Sequence, residues 1–225
     1  MTVGQPLDPP PHYPSARAKT ADLVVHVAGL GLAAVGGVVL LALALGDHSL
    51  GKVVGVAIYA TASLVMLSLS AAYNFASAQR RPFYRRLDRA GIFLMIAGSY
   101  TPFTTQVLTG GWSVGMTAAV WAIAGAGALG QVFVPNLDRR IWAMAYLTLG
   151  WLVVVALKPV VENTAWTTLV LLALGGVIYS VGVIFHLNRR LRFGRAIWHG
   201  HVVAAAGAHW AAVLLGVVLV APIAR

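Results

Sequence analysis

Seven blocks of apolar residues, separated by short polar connections, constrain this chain more than any other feature. They cover residues 22–46, 53–75, 88–108, 112–134, 141–161, 164–186 and 196–222. A helix of about 20 apolar residues matches the thickness of a bilayer core. Inside hydrocarbon a helix satisfies all of its own backbone hydrogen bonds. The pattern therefore predicts an all-α integral membrane protein with seven transmembrane helices.

The composition agrees with a membrane location. Only 10% of the 225 residues are charged, whereas soluble domains carry about 25%. The absence of cysteine excludes disulfides and thiolate metal sites. A net charge of +10 is also typical of nucleic-acid binding, but basic loops in a membrane protein set its orientation and face anionic lipids. We therefore expect membrane lipids as partners, and no nucleic acid.

Lysine and arginine are distributed unevenly between the two sides of the predicted bundle. One side has three, Lys52, Lys158 and Arg225, and the other has thirteen: Arg17, Lys19, Arg80, Arg81, Arg85, Arg86, Arg89, Arg139, Arg140, Arg189, Arg190, Arg192 and Arg195. Cytoplasmic loops hold the excess of basic residues, so we expect a cytoplasmic N-terminus and an outside C-terminus. The proline-rich residues 1–19 are predicted to be a disordered cytoplasmic tail, followed by a seven-helix membrane domain at 20–225.

Polar side chains gather at the cytoplasmic ends of five predicted helices. They are Asp22, His26, Ser70, Tyr73, Asn74, Asp88, His186, Arg195, His199 and His201. Taken singly, the aspartates could be helix N-caps, the histidines could form interfacial hydrogen bonds, and Arg195 could extend to the headgroups. Their convergence at one depth favours a functional site, because ionisable groups inside a membrane are costly.

Several of these residues lie in motifs that resemble a known family. RRLDRAGIFLMIAGSYTPF (Arg85–Phe103) resembles the signature of the haemolysin III branch of the progestin and adipoQ receptor family. So do S-x-x-x-N at 70–74, D-x-x-x-H at 22–26, YLTLGWL, GGVIYSVGVIF and AIWHGHVV, in matching order from about residue 18 onward. The resemblance implies seven helices, and a multi-pass protein of a bacterial inner membrane.

The resemblance also implies a zinc ion near the cytoplasmic helix ends. Three histidines would hold it, at the positions of residues 74, 195 and 199 here, with supporting roles for Asp88 and Ser70. Such a centre resembles a hydrolase site, and Asp88 and Ser70 are our candidate catalytic residues. Three protein ligands leave the fourth zinc position for a water molecule.

This sequence departs from that pattern at two of the three ligand positions. Asn74 and Arg195 replace histidines, so only His199 matches a ligand. An arginine has no lone pair to offer, and a guanidinium about 4 Å from a dication would be repelled by roughly 8 kcal/mol. We therefore expect no conventional zinc centre. Our preferred hypothesis is that Arg195 replaces the metal charge and pairs with Asp88, with Asn74 and Ser70 completing the hydrogen bonds.

An unconventional metal site is the alternative. His199 and His26 could join Asp88 if the first and last helices are neighbours, with Asp22 nearby. His201, two residues after His199, would face away from such an ion.

Three functions are compatible with these features. The first is a haemolysin III-like protein that influences membrane or lipid homeostasis, with a cytoplasm-side polar site whose zinc ligands are mostly replaced. The second is a metal-dependent, ceramidase-like hydrolase of a lipid amide. The third is a transporter or channel, for which His209 and Pro102 are the only hints and no mid-membrane charge is present.

Overall fold

The computed structural model describes residues 12–134, 136–188 and 190–220, and within these ranges the regular structure is entirely helical. A 3₁₀ segment spans Leu152–Ala156, and a π-helical turn spans Leu214–Val218. The α-helices are α1 Ala16–Gly46, α2 Leu50–Phe75, α3 Arg81–Gln106, α4 Gly110–Phe133, α5 Arg139–Gly150, α6 Leu157–Glu162, α7 Trp166–Leu187 and α8 Gly194–Val213.

The prediction of an all-α chain with seven helical segments is confirmed, because α5, the 3₁₀ segment and α6 together form one continuous segment. Six of the seven segments in the described part of the chain are long and apolar enough to cross a bilayer. The exception is α3. It begins with a strongly basic turn and ends with Ser, Thr and Gln residues that lower its hydropathy.

Helix α3 tolerates this polarity because other helices surround it. It packs along its length against α2 and α4, and its buried residues include Phe93, Ala97 and Thr101. The Thr101 hydroxyl donates to the carbonyl of Ala97 at 2.8 Å and accepts from the Trp121 indole at 3.1 Å. A helix that satisfies its polar groups inside the bundle does not need a continuous apolar surface.

Small residues bring α2 and α3 into close contact. A Cβ placed on Gly98 would lie only 2.5 Å from the Cβ of Ala62. Only a glycine fits there, so the two backbones approach closely, as small residues allow between membrane helices. This contact fixes the position of Ser70 on α2 relative to Asp88 on α3.

The chain before α1 differs from the predicted boundaries. Helix α1 begins at Ala16, because the Ser15 hydroxyl caps it by accepting from the Ala18 amide at 3.2 Å. Residues 16–19, assigned to the tail by the prediction, are therefore helical. His12 and Tyr13, also within the predicted tail, contact the bundle. Residues 1–11 lie outside the described residues.

The opposite end of the bundle is held by Lys52, whose side chain is only 3% exposed. Its ammonium group donates to the carboxylate of Asp47 and to the carbonyls of Val218 at 3.2 Å and Val220 at 2.8 Å. These carbonyls lie at the end of the π-helical turn and just beyond it. Lys52 therefore joins the end of α8 to the start of α2.

Candidate functional site

Polar side chains from α1, α2, α3 and α8 meet at one end of the bundle. Asp22, His26, Ser70 and Asn74 are at most 4% exposed, and the side chain of His199 is 11% exposed. Helices α1 and α8 are neighbours there, as the unconventional metal arrangement requires. We refer to Asp22, His26, Ser70, Asp88 and His199 as the histidine cluster.

The two imidazoles of the cluster are oriented by Asp22. The Nδ1 atom of His199 lies 2.6 Å from the Asp22 Oδ1 atom, and the Nδ1 atom of His26 lies 2.8 Å from the Asp22 carbonyl. Both oxygens are acceptors, so both Nδ1 atoms carry hydrogen and donate. The neutral rings then present their Nε2 lone pairs elsewhere. A carboxylate or carbonyl in this role is typical of histidines that bind metals.

Both Nε2 atoms face the hydroxyl of Ser70, at 3.2 Å from His26 and 3.4 Å from His199. The Asp88 carboxylate lies beside the same hydroxyl as a third acceptor. One hydroxyl hydrogen cannot serve three acceptors. The cluster therefore has fewer hydrogen-bond donors than acceptors. A cation, either an added proton or a metal ion, would satisfy the remaining lone pairs.

The donor set fits a metal such as zinc. One ligand atom from each of Asp22, His26 and His199 lies within 4.8 Å of the others. However, the Asp22 carboxylate is already engaged by His199 and by the Tyr13 hydroxyl. The atoms still available to bind a metal are the two Nε2 atoms, and the half-buried Asp88 carboxylate lies beside them. Imidazole nitrogens are common zinc ligands, and a carboxylate beside them can accept a proton.

The position implied by the family resemblance does not fit a metal. The Asn74 Oδ1 atom accepts a hydrogen bond from the Arg195 Nη1 atom at 3.1 Å, and the Asn74 Nδ2 atom donates to the carbonyl of Ser70 at 3.0 Å. The amide oxygen is thus occupied by a guanidinium, which cannot be a ligand.

The hypothesis that Arg195 pairs with Asp88 is wrong. Among the described residues no ion pair joins them, and the Arg195 Nε atom instead donates to the carbonyl of His12 at 3.3 Å. The guanidinium also lies over the rings of Tyr13 and Tyr73, at 5.6 and 5.9 Å. Arg195 occupies the first turn of α8 and therefore points out of the bundle, toward the segment before α1.

His12 and Tyr13 are the site residues that sequence reasoning missed, because they lie in a proline-rich stretch. The His12 Nε2 atom donates to the Asn74 Oδ1 atom at 3.3 Å, and its Nδ1 atom accepts from the Arg195 Nη2 atom at 3.2 Å. Burial, with the charges of Arg195 and Arg81, lowers the pKa of His12 to about 4. Burial and the hydrogen bond to Asp22 raise the pKa of Tyr13.

Three histidines of α7 and α8 lie outside the cluster. The His201 Nδ1 atom donates to the Ile197 carbonyl at 2.8 Å and the ring contacts Phe185, which confirms that His201 faces away from His199. His186 packs against Trp198, with ring centroids 4.8 Å apart. The His209 Nε2 atom donates to the Leu172 carbonyl at 3.3 Å.

Comparison with known proteins agrees with this architecture. The family model described as haemolysin-III related matches residues 16–210. The haemolysin-3 homologue of Bacillus subtilis (strain 168) is 29% identical over 199 residues, which cover 88% of this chain and 93% of the relative. Haemolysin-3 of Bacillus cereus is 41% identical over 115 residues, 50% of this chain and 52% of the relative.

A human protein is similar over a shorter region. The monocyte to macrophage differentiation factor of Homo sapiens is 29% identical over 134 residues, 58% of this chain and 54% of that protein. The match to the family model covers most of the chain, including every helix that contributes to the histidine cluster. The chain belongs to the haemolysin-III-related family of membrane proteins.

Proposed function

We propose that this protein crosses a bacterial inner membrane seven times, with a cytoplasmic N-terminus and an outside C-terminus, and influences the lipid composition or fluidity of that membrane. Six apolar segments support the membrane location, and α3 would be the seventh span because its polar groups are satisfied inside the bundle. The thirteen basic residues on one side support the orientation. The buried histidine cluster would then lie at the cytoplasmic side.

The observation that carries this proposal is the donor-poor histidine cluster, held between four helices at one end of the bundle. Asp22 and His26 are 0% and 2% exposed, so ionisable groups are maintained there at a cost. A scaffold that only needed to span a membrane would gain more from apolar residues at these positions. The cluster is therefore the part of the molecule from which an effect on lipids would arise.

The two imidazole lone pairs specifically favour a second function, hydrolysis of a lipid amide with a metal. A metal held by His26 and His199 would supply a bound water whose pKa falls toward about 7. Asp22 would orient His199, and Ser70 would fix the position of the Asp88 carboxylate. Asp88 would hold the proton taken from that water.

Two measurements test these functions. The first is the lipid composition and the membrane fluidity of cells that produce the parent protein, His199→Ala or the control His201→Ala. Under our proposal His199→Ala abolishes the change in lipids that the parent protein causes, whereas His201→Ala keeps it. If His199→Ala changes lipids as the parent does, the cluster is not the source of the effect.

The second measurement is the metal content of the detergent-purified protein. About one zinc per chain in the parent, lost in His26→Ala, would favour the hydrolase. Release of fatty acid from a lipid amide should then depend on that zinc. Absence of metal from the parent would leave lipid homeostasis without metal chemistry as the function.

A further inference from the structure

A cavity of about 330 Å³ lies beside the histidine cluster, on the side from which the chain enters α1. Its walls come from the segment before α1, the first turn of α1, the end of α2 and the start of α3. The residues that matter here are His12, Ser15, Lys19, Asn74, Phe75 and Arg81. The volume is at the lower end of the range found for small-ligand sites.

Among the residues that the structure describes, the charged side chains that line this cavity are both basic, Lys19 and Arg81, and no carboxylate lines it. Among the described residues neither cation lies within 4.0 Å of an acidic group. The first turn of α1, which contributes Ala16 to the wall, contains no acidic residue. Its free amide groups and the positive end of the helix dipole add to the attraction for an anion.

The hydrogen bonds of Arg81 also indicate that an acceptor is missing. Its Nη2 atom donates to the Ala76 carbonyl at 2.9 Å, which fixes the guanidinium against the end of α2. Its Nε atom is buried and has no acceptor within the described part of the chain. A buried donor without an acceptor is costly. An anion in the cavity would remove that cost and neutralise the two cations.

We propose that this cavity binds a phosphate group, and that the phosphate belongs to the headgroup of an anionic phospholipid. A guanidinium fixed at one edge is suited to a tetrahedral oxyanion, and a flexible lysine supplies a second charge. The side chains of Ser15 and Asn74 add neutral polar groups to the cavity wall. A soluble phosphate monoester offers the same chemistry and is the other source that the test distinguishes.

A lipid is favoured by the space next to the cavity. An open groove of about 760 Å³ shares Phe75 and Ala76 with the cavity wall and is also lined by Ala72, Ser77, Gln79, Arg80 and Tyr84. A headgroup phosphate in the cavity would therefore have an adjacent groove of mixed apolar, aromatic and polar character for the rest of the molecule. Residue Asn74 lies in the wall of the cavity and accepts a hydrogen bond from Arg195. The phosphate site thus borders the histidine cluster without sharing its metal-binding atoms.

The test is lipid retention by the full-length protein, measured by native mass spectrometry. The protein is reconstituted in phosphatidylcholine with or without phosphatidylglycerol and then released into detergent. Arg81→Gln and Lys19→Gln are compared with Arg85→Gln and Arg17→Gln, which remove one exposed charge each from the same helices. Arg81→Lys keeps the charge and reports on folding of the α2–α3 turn.

We expect the parent to retain one phosphatidylglycerol, and Arg81→Gln to weaken retention about tenfold, the effect of losing one charge-assisted hydrogen bond. Lys19→Gln should weaken it less, Arg81→Lys should restore part of it, and both control variants should match the parent. Equal losses in Arg81→Gln and Arg85→Gln would overturn the proposal, because general surface charge would then explain retention. Absence of retained anionic lipid and of bound phosphate in the parent would also overturn it.

A second arm identifies the source of the phosphate. Inorganic phosphate is titrated by calorimetry into the protein held in phosphatidylcholine alone. Saturable binding that Arg81→Gln removes, without preference for phosphatidylglycerol, assigns the site to a soluble phosphate and overturns the headgroup assignment. Preference for phosphatidylglycerol without binding of free phosphate supports the lipid. This test is independent of catalysis, since no readout involves the histidine cluster.

Discussion

Replacement of Asp22 by alanine should destabilise the protein more than any other single change in the histidine cluster. The Asp22 carboxylate is fully buried and accepts hydrogen bonds from the His199 imidazole and from the Tyr13 hydroxyl. Each hydrogen bond to a charged group contributes about 1.5–3 kcal/mol. Because two such bonds are lost, we expect Asp22→Ala to lower the free energy of unfolding by about 3–6 kcal/mol.

A double-mutant cycle separates the Asp22–His199 interaction from general disruption. We expect Asp22→Ala and His199→Ala to be non-additive, with a coupling free energy of about 1.5–3 kcal/mol, because each change removes the same 2.6 Å hydrogen bond. The measurement is equilibrium unfolding in detergent, followed by tryptophan fluorescence. The cycle gives the coupling directly as the departure from additivity.

The matched control cycle pairs Asp22→Ala with His201→Ala. His201 lies on the same helix as His199 but donates to the Ile197 carbonyl, away from Asp22. These two changes should be additive within about 0.5 kcal/mol. If the Asp22–His199 cycle is also additive within that limit, the carboxylate does not orient the imidazole. The proposed preparation of His199 as a ligand would then be refuted.

Three further predictions follow from other parts of the molecule. His12 should titrate near pH 4 by NMR, because burial, Arg195 and Arg81 disfavour its protonated form against the opposing effect of Asp22; its contribution to stability is present above about 6.5 and is lost as the pH falls through 4. Arg195→Gln should raise the pKa of His12, and an unchanged pKa would contradict the charge argument. Lys52→Met should lower the free energy of unfolding by about 1–3 kcal/mol, since the carbonyls of Val218 and Val220 would lose their donor, and the Asp47 carboxylate, at 37% exposure, would be solvated. The exposed Lys158→Met should change the free energy of unfolding by less than about 0.5 kcal/mol. The double substitution of histidine for Asn74 and Arg195 should give a protein that binds about one zinc with His199, measured by metal analysis, and no gain of zinc would contradict the placement of these helix ends.

The helical architecture could be predicted from the sequence because a bilayer imposes a single length and a single secondary structure on each apolar block. The starts of the helices were predicted less well. Helix α1 begins at Ala16 because Ser15 caps it with a side-chain hydrogen bond, although the apolar block begins later. Hydropathy reports where a helix meets lipid and is insensitive to such polar first turns. Hydropathy describes α3 poorly for a similar reason, because the polar groups of this helix are enclosed by neighbouring helices.

The sequence predicted most of the residues that form the site, but only some of the contacts between them. Spacing on one helix correctly separated His201 from His199, because a difference of two residues turns a side chain to the opposite face. Contacts between helices depend on how they rotate against each other, and so the sequence allowed several partners for Arg195. Arg195 contacts the His12 carbonyl and the Tyr13 ring, both in the segment before α1. Neither residue in that segment belongs to a motif that would have indicated a contact.

The hydrogen bond between Asn74 and Arg195 implies that these two residues act as one unit. The Asn74 carbonyl oxygen accepts from the guanidinium while the amide nitrogen donates back to α2. A histidine at position 74 alone would place an imidazole against a permanent cation. A histidine at position 195 alone would remove the guanidinium that donates to the His12 carbonyl and to the Asn74 oxygen, and would leave that oxygen only the His12 imidazole as a donor.

Each single substitution to histidine at positions 74 and 195 should therefore be less stable than the double substitution, with a coupling of at least about 0.5 kcal/mol in favour of the pair. Equilibrium unfolding of the two single variants and the double variant, without added metal, measures this coupling. Additive effects would show that the two positions are independent. Coupling would instead explain how Arg195 can lie beside the histidine cluster without facing the position of a cation held by His26 and His199. Its charge is directed to Asn74 and to the His12 carbonyl.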